Sequence, residues 1–330
     1  MAYFEQPKNT FRVHPVTSSD SASAELYREA RKALSLQRFS IHFFVTSETL
    51  ELTSLTMIRS ALRKAVFFLL ILVNCSSCST SAFFYAPYKE LKYFPDTTKY
   101  KLEEINFKAS DGKNLNGWFF KPKGIPVIGT ILHFHGNAGN ISYQYQFCEG
   151  LVQAGFQVMV FDYEGFGKSE GKESQEHVLD DGISALHYIK NRDDVKGTKL
   201  ILFGQSLGGH LSCVVAAREQ KLIDALIVEG AFSGHEKIAV WVGKKSHAPP
   251  FVTRTLVQSK YDAYKEVSKI TIPKLFIHST EDQSCPYFMG KELYDLSVAP
   301  KEFWEIKGEH IHAAFDYKEE FVERFKKIIR

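Results

Sequence analysis

The chain has 330 residues, 44% of them hydrophobic, with 41 Lys and Arg against 38 Asp and Glu. These totals exclude a disordered chain, a collagen-like repeat and a multi-span membrane protein, and a net charge of +3 gives no electrostatic footprint for nucleic acid. Five cysteines are too few for a disulfide scaffold, and the odd count leaves one unpaired.

Residues 1–56 contain no glycine, and one helical pattern runs through Ala22–Leu36, with Ala24, Leu26, Ala30, Ala33 and Leu34 on one face. The character then changes. Met57–Lys64 carries three cations and no acid, Ala65–Val73 is wholly apolar, and small residues follow up to Cys78. A basic start, a short apolar run and small residues make a signal peptide, whose apolar stretch is too short to span a bilayer. Leu72-Val-Asn-Cys75, or less regularly Cys75-Ser-Ser-Cys78, resembles a lipobox, so either cysteine is a candidate lipidation site. Asn74 is large for its position in the first, and Cys75 is a poor third-before residue in the second. A signal anchor is the alternative, since no charge occurs from Ala65 to Tyr88, and a buried soluble helix is the third reading. Signals sit at N-termini, so Met57 reads as the true start and residues 1–56 as a non-native leader. The expected location is exported and membrane-associated, by lipid or by signal anchor.

From Lys101 onward strands and helices alternate, which argues for βαβ units on a mostly parallel sheet. Lys101–Phe107 and Leu115–Phe120 flank Asp111-Gly112, a hairpin signal. Apolar strands follow at Val127–Phe134, Gln157–Phe161, Lys199–Phe203, Ala225–Val228, Lys274–Ile277 and Phe303–Ile306. Helical patterns lie near Ser142–Ala154, Gln175–Lys190, Leu207–Ala217, Tyr287–Leu296 and Ala313–Ile329. The expected fold class is α/β, with helices on both faces of the sheet, in a domain spanning 85–330.

Directly after the strand Lys199–Phe203 comes Gly204-Gln205-Ser206-Leu207-Gly208-Gly209. A nucleophile on a tight strand-to-helix turn has strained backbone angles, so its neighbours must be small. Gly204 and Gly208 leave room for the turn, and Gly209 lets the helix pack on the sheet. Ser206 is therefore the candidate nucleophile. A serine needs a base to take its proton, and the partners on such a sheet follow as Asp and then His at later strand ends. The strand Lys274–Ile277 runs into a loop holding Glu281 and Asp282, and Phe303–Ile306 into one holding His310 and His312. Asp282 would orient the imidazole and His310 would shuttle the proton, with Glu281 the rival acid and His312 the rival base.

An acyl-transfer site also needs donors for an oxyanion. His133-Phe134-His135-Gly136-Asn137-Ala138-Gly139-Asn140 follows an apolar strand, and the two donors are assigned to the backbone N–H of Asn137 and Leu207. Read as a metal pair, His133 and His135 lack a third ligand at metal spacing, so no metal is expected. Glu164-Gly165-Phe166-Gly167-Lys168-Ser169 ends like a phosphate-binding loop, but Asp162 occupies the position where that loop needs glycine. It reads as the turn after the strand Gln157–Phe161, and no cofactor is expected.

These motifs together resemble the α/β-hydrolase superfamily over about residues 85–330. Within it they are similar to membrane-anchored serine hydrolases with an H-G-N-A-G-N loop, relatives of prolyl-oligopeptidase-like enzymes. The resemblance implies a Ser206–Asp282–His310 triad, an Asn137/Leu207 oxyanion hole and hydrolysis of small acyl esters or thioesters. Two departures stand out: the compact Gly308-x-His310 loop keeps His312 in play, and Gln205 fills a slot often held by Arg or His. About 45 residues between Val228 and Lys274 hold the expected cap, at about 232–272, with Trp241, Val242, Pro249, Pro250, Phe251 and Val252 beside Lys244, Lys245 and Arg254. This stretch reads equally as an acyl pocket or as a small helical cap with its own core. The alternatives to an esterase or thioesterase are a prolyl-oligopeptidase-like peptidase and a catalytically idle hydrolase-fold binding module.

Overall fold

The protein is described by a computed structural model covering residues 84–330, apart from Ala248. The expected helix at Ala22–Leu36, the expected leader 1–56, the expected signal 57–78 and both Cys75 and Cys78 lie outside the described residues. Among the described residues no helix is long and apolar enough to cross a membrane.

The strands are β1 (Ala86–Pro87), β2 (Tyr100–Lys108), β3 (Asn114–Pro122), β4 (Gly129–Phe134), β5 (Ala138–Gly139) and β6 (Phe156–Phe161), then β7 (Leu200–Gln205), β8 (Ala225–Glu229), β9 (Lys274–Ser279) and β10 (Lys301–Ile306). Eight of them form one sheet in the order β10-β9-β8-β7-β4-β6-β3-β2, while β1 pairs with β5. β2 and β3 make an antiparallel hairpin across Asp111-Gly112, and β3 joins β6 antiparallel; from β6 to β10 every pairing is parallel. The central parallel strands are rich in apolar residues because helices cover both faces. β4, β6, β7 and β8 are buried at every residue.

Two apolar clusters lie on opposite faces of this sheet. One joins Leu132, Phe134, Met159 and Leu202 to Val178, Leu186, Leu211, Val214 and Met289, from helices Gln175–Lys190, Leu207–Glu219 and Tyr287–Leu296. The other joins Ile131, Val158, Ile201 and Ile227 to Ile141, Leu151, Phe321 and Phe325, from the segment after β5 and the C-terminal helix. Aromatic rings at the second face meet edge-on, as Phe203 does with Phe321 and Phe325.

Two predicted helices are broken. Ser142–Ala154 becomes helix Ile141–Gln144, a 3-10 turn Tyr145–Cys148 and helix Glu149–Gln153. Across the tighter turn Ile141, Tyr145, Cys148, Leu151 and Val152 all stay on the apolar cluster. Ala313–Ile329 splits into Ala313–Asp316 and Lys318–Ile328 at Tyr317, whose hydroxyl accepts the Lys307 N–H at 3.1 Å and so holds the loop after β10.

Register brings the functional strand ends level. Phe134 stands opposite Gly204, Gln205 opposite Glu229, Glu229 opposite Ile277, and Ser279 opposite Ile306. The loops after β4, β7, β8, β9 and β10 therefore open at one edge of the parallel sheet, where α/β folds place their ligands.

Candidate active site

Ser206 stands between β7 and helix Leu207–Glu219 with φ 55 and ψ −118, a conformation that L-residues avoid. What holds it there is close packing around the flanking glycines. A Cβ on Gly208 would lie 2.0 Å from the Phe134 carbonyl oxygen, and one on Gly204 would lie 2.3 Å from both the Gly208 oxygen and Ser212 Oγ. The Ser206 N–H is donated to the Glu229 carbonyl at 2.9 Å, so the strained residue keeps its backbone bond. The loop after β4 passes directly over it: a Cβ on Gly136 would lie 3.7 Å from Ser206 Cβ. This loop carries Asn137, and Leu207, the first residue of the helix, has an N–H with no acceptor inside the helix.

The loops after β9 and β10 meet at an imidazole–carboxylate pair. His310 Nδ1 donates to Asp282 Oδ2 at 2.6 Å, and the other Asp282 oxygen accepts the N–H groups of Ser284 and Cys285 at 2.8 and 2.9 Å. Burial alone would raise the Asp282 carboxyl. The hydrogen bond from His310 and the charges of His310 and His278 outweigh it and hold the group below its ordinary value. His278 Nε2 donates to the Cys285 carbonyl at 2.9 Å, bracing the same loop, and its burial lowers its own affinity for a proton.

The rivals are placed elsewhere. Glu281 accepts the Gly308 N–H at 3.0 Å, tying the two loops together, and His312 faces Glu309 and Asp316 at 3.7 Å each. Cys285 Sγ lies 4.0 Å from Ser206 Oγ, in a position the sequence did not flag. The thiol is buried, as are those of Cys148 and Cys213.

His133 and His135 do not converge on a common point. His133 stacks on Phe203 and reaches Gln205, whereas His135 lies against Tyr163 and Phe166 with its Nε2 3.5 Å from Asp162. Asp162 in turn accepts the Ile141 N–H at 2.8 Å, so the turn after β6 braces the loop after β4. A different trio, buried His210, His235 and Asp262, keeps donor atoms within 4.8 Å of one another. Its carboxylate is already taken by Ser259 Oγ at 2.6 Å, the His235 N–H at 3.0 Å and Lys265 Nζ at 2.8 Å. Both imidazoles reach backbone carbonyls through Nδ1, on Phe232 and Tyr261. His210 meets His235 ring to ring at 4.5 Å, so the trio packs helix Leu207–Glu219 against the 235–262 segment.

That segment differs from the strand ends. Helix His235–Lys245 buries His235, Ile238, Ala239 and Gly243, but helix Pro250–Leu256 buries none of its residues, and Phe251 is 70% exposed. Ile238, Ala239, Val257 and Tyr261 join the main apolar cluster instead of forming a separate one. The segment is tied to the acid loop by Lys245, whose ammonium donates to the Gln283 carbonyl at 2.6 Å.

A parallel sheet flanked by helices, with a serine on a strained strand-to-helix turn and an Asp–His pair at later strand ends, places this chain in the α/β-hydrolase superfamily, to which it belongs. Residues 126–248 match the family described as serine aminopeptidase, S33. The uncharacterized protein YfhR of Escherichia coli K12 is 36% identical over 252 residues, covering 73% of this chain and 85% of that protein. The α/β-hydrolase domain-containing protein WAV2 of Arabidopsis thaliana is 30% identical, covering 60% and 67%. Among solved structures, the Pyrococcus furiosus esterase Pf2001 superposes with a TM-score of 0.64 at 17% identity, covering 74% of this chain and 97% of that one.

Proposed function

We propose that the protein is a serine hydrolase that cleaves carboxylic esters or thioesters through an acyl-enzyme on Ser206. The observation that carries this reading is the 2.6 Å His310–Asp282 bond, set at strand ends beside a serine held at φ 55. Ser206 Oγ attacks the acyl carbon while His310 Nε2 takes its proton, and His310 then gives that proton to the alcohol or thiol as the acyl C–O or C–S bond breaks. Asp282 fixes the imidazole with Nδ1 protonated and offsets the positive charge that appears on the ring. The oxyanion is held by the N–H groups of Asn137 and Leu207, with the positive end of helix Leu207–Glu219 behind them. Water then attacks the acyl-enzyme with His310 again as base, and the proton returns from His310 to Ser206 Oγ as the carboxylic acid leaves.

The family description at residues 126–248 names an aminopeptidase, and peptide hydrolysis is therefore the second reading. An esterase finds support in the names of structural neighbours, such as the Pyrococcus furiosus esterase. Paired p-nitrophenyl esters and p-nitroanilides of increasing acyl length separate the two. Ester turnover exceeding anilide turnover by at least about a thousandfold supports the first reading, and the reverse order refutes it. Ser206→Ala should abolish turnover of whichever is cleaved; unchanged turnover would remove Ser206 from the mechanism. The export and tethering reading of residues 57–78 stands as a further proposal, checked by intact mass of membrane-extracted protein for a lipid adduct on Cys75 or Cys78.

A further inference from the structure

Behind the Ser206 turn, polar groups from four separate elements meet in one buried chain. His133 Nε2 lies 2.9 Å from Gln205 Oε1, Gln205 Nε2 donates to Glu229 Oε2 at 2.8 Å, and Glu229 Oε1 accepts the Ala313 N–H at 2.9 Å. An ionised carboxylate can only accept, so Gln205 turns its NH₂ to Glu229 and its oxygen to His133. Gln205, the departure noted beside the nucleophile, thus acquires a definite task. Glu229 is 1% exposed, and among the described residues no Lys or Arg pairs with it.

Its second contact is the informative one. Ala313 lies three residues past His310 and opens helix Ala313–Asp316, so its N–H fixes where the histidine loop rejoins the body. The next residue, Gly230, runs so close beneath the imidazole that a Cβ there would lie 3.0 Å from His310 Cε1. An apolar side chain of the same volume would be cheaper to bury than this carboxylate. What it would forfeit is an acceptor for Ala313 and a negative charge behind His310.

We propose that Glu229 is a positioning residue for His310, holding the histidine loop through the Ala313 N–H and the nucleophile turn through Gln205. The proposal rests on the Ser206–Asp282–His310 reading above and adds a second acid to it. When His310 takes a proton, Asp282 opposes the new charge by contact and Glu229 opposes it from behind the loop. Burial raises the Glu229 carboxyl to about 7, the Ala313 and Gln205 bonds and the His310 charge acting downward and Asp282 upward. The other titratable groups facing it are Cys148, from the turn across the sheet, and His133, reached through Gln205 and kept neutral because burial lowers it to about 3. Protonating Glu229 removes its negative charge from behind His310, so activity supported by that charge is present above the carboxyl's pKa and fades below it.

The test compares Glu229→Gln and Glu229→Leu with the wild type in ester hydrolysis across pH 5–9. Glu229→Gln keeps an acceptor for Ala313, loses the charge, and turns an NH₂ toward Gln205, whose amide must flip to answer it. Its kcat should fall about tenfold with KM little changed, and the acid limb of kcat/KM should move down by about half a pH unit. Glu229→Leu loses the acceptor as well, and its kcat should fall about a hundredfold or more. Glu229→Leu within about threefold of the wild type, or an acid limb in Glu229→Gln superimposable on the wild type's, overturns the proposal. If the leucine variant does not fold, the glutamine variant's pH profile decides alone. Ser206→Ala run in parallel separates the two failures: activity surviving it refutes the underlying reading, whereas activity that depends on Ser206 but ignores Glu229 refutes only this inference.

Discussion

The strand ends and the 235–256 segment solve opposite problems in the same domain. At the strand ends everything is fixed: Ser206 sits in a strained turn flanked by Gly204 and Gly208, where packing leaves no room for a Cβ, and Asp282 has each oxygen engaged. In the segment above, helix Pro250–Leu256 buries none of its side chains and presents Phe251 at 70% exposure. Chemistry demands positional precision, which packing supplies; substrate choice tolerates surfaces whose side chains can be exchanged without disturbing the fold.

Substitutions can break this contrast. The largest effect is expected at Gly208→Ala. Its Cβ would sit 2.0 Å from the Phe134 carbonyl oxygen, so either β4 or helix Leu207–Glu219 must shift. A loss of about 3 kcal/mol or more in chemical denaturation is expected, together with loss of hydrolysis. A fully stable, active variant would mean that the turn is not locked as described. Next comes Asp282→Asn, which preserves shape but offers an NH₂ or a neutral oxygen to His310; kcat should fall by about ten-thousandfold with little change in unfolding midpoint at neutral pH. The smallest effect belongs to Phe251→Ser, expected to change stability by less than about 0.5 kcal/mol and to act, if on catalysis, through KM for long acyl chains alone. A kcat effect there would erase the distinction between the two regions.

What could be read from the residues follows the same division. Gly204, Gly208 and Gly209 announced the turn because close backbone approach leaves glycine no substitute, and the strand ends pointed to Asp282 and His310, whose side chains the structure pairs at 2.6 Å. The sheet was legible from its uninterrupted apolar runs. Glu229 was not, since an acid ending the run Ala225–Val228 looks like any solvent-facing residue, and only the register opposite Gln205 shows it turned inward. Nor was Cys285 placed against Ser206, because a loop's return path depends on contacts distant in sequence, here Glu281 to Gly308 and His278 to Cys285. The helix breaks at Tyr145 and Tyr317 were hidden for the same reason: the helical pattern continued while tertiary contacts bent the chain.

The central claim is that Ser206 is the acylated residue, and mass mapping of protein treated with a fluorophosphonate probe tests it most directly. The account expects one stoichiometric adduct on the tryptic peptide containing Ser206, lost in Ser206→Ala and slowed sharply in Asp282→Asn. An adduct on any other residue, or none on folded protein that still turns over ester, would contradict it.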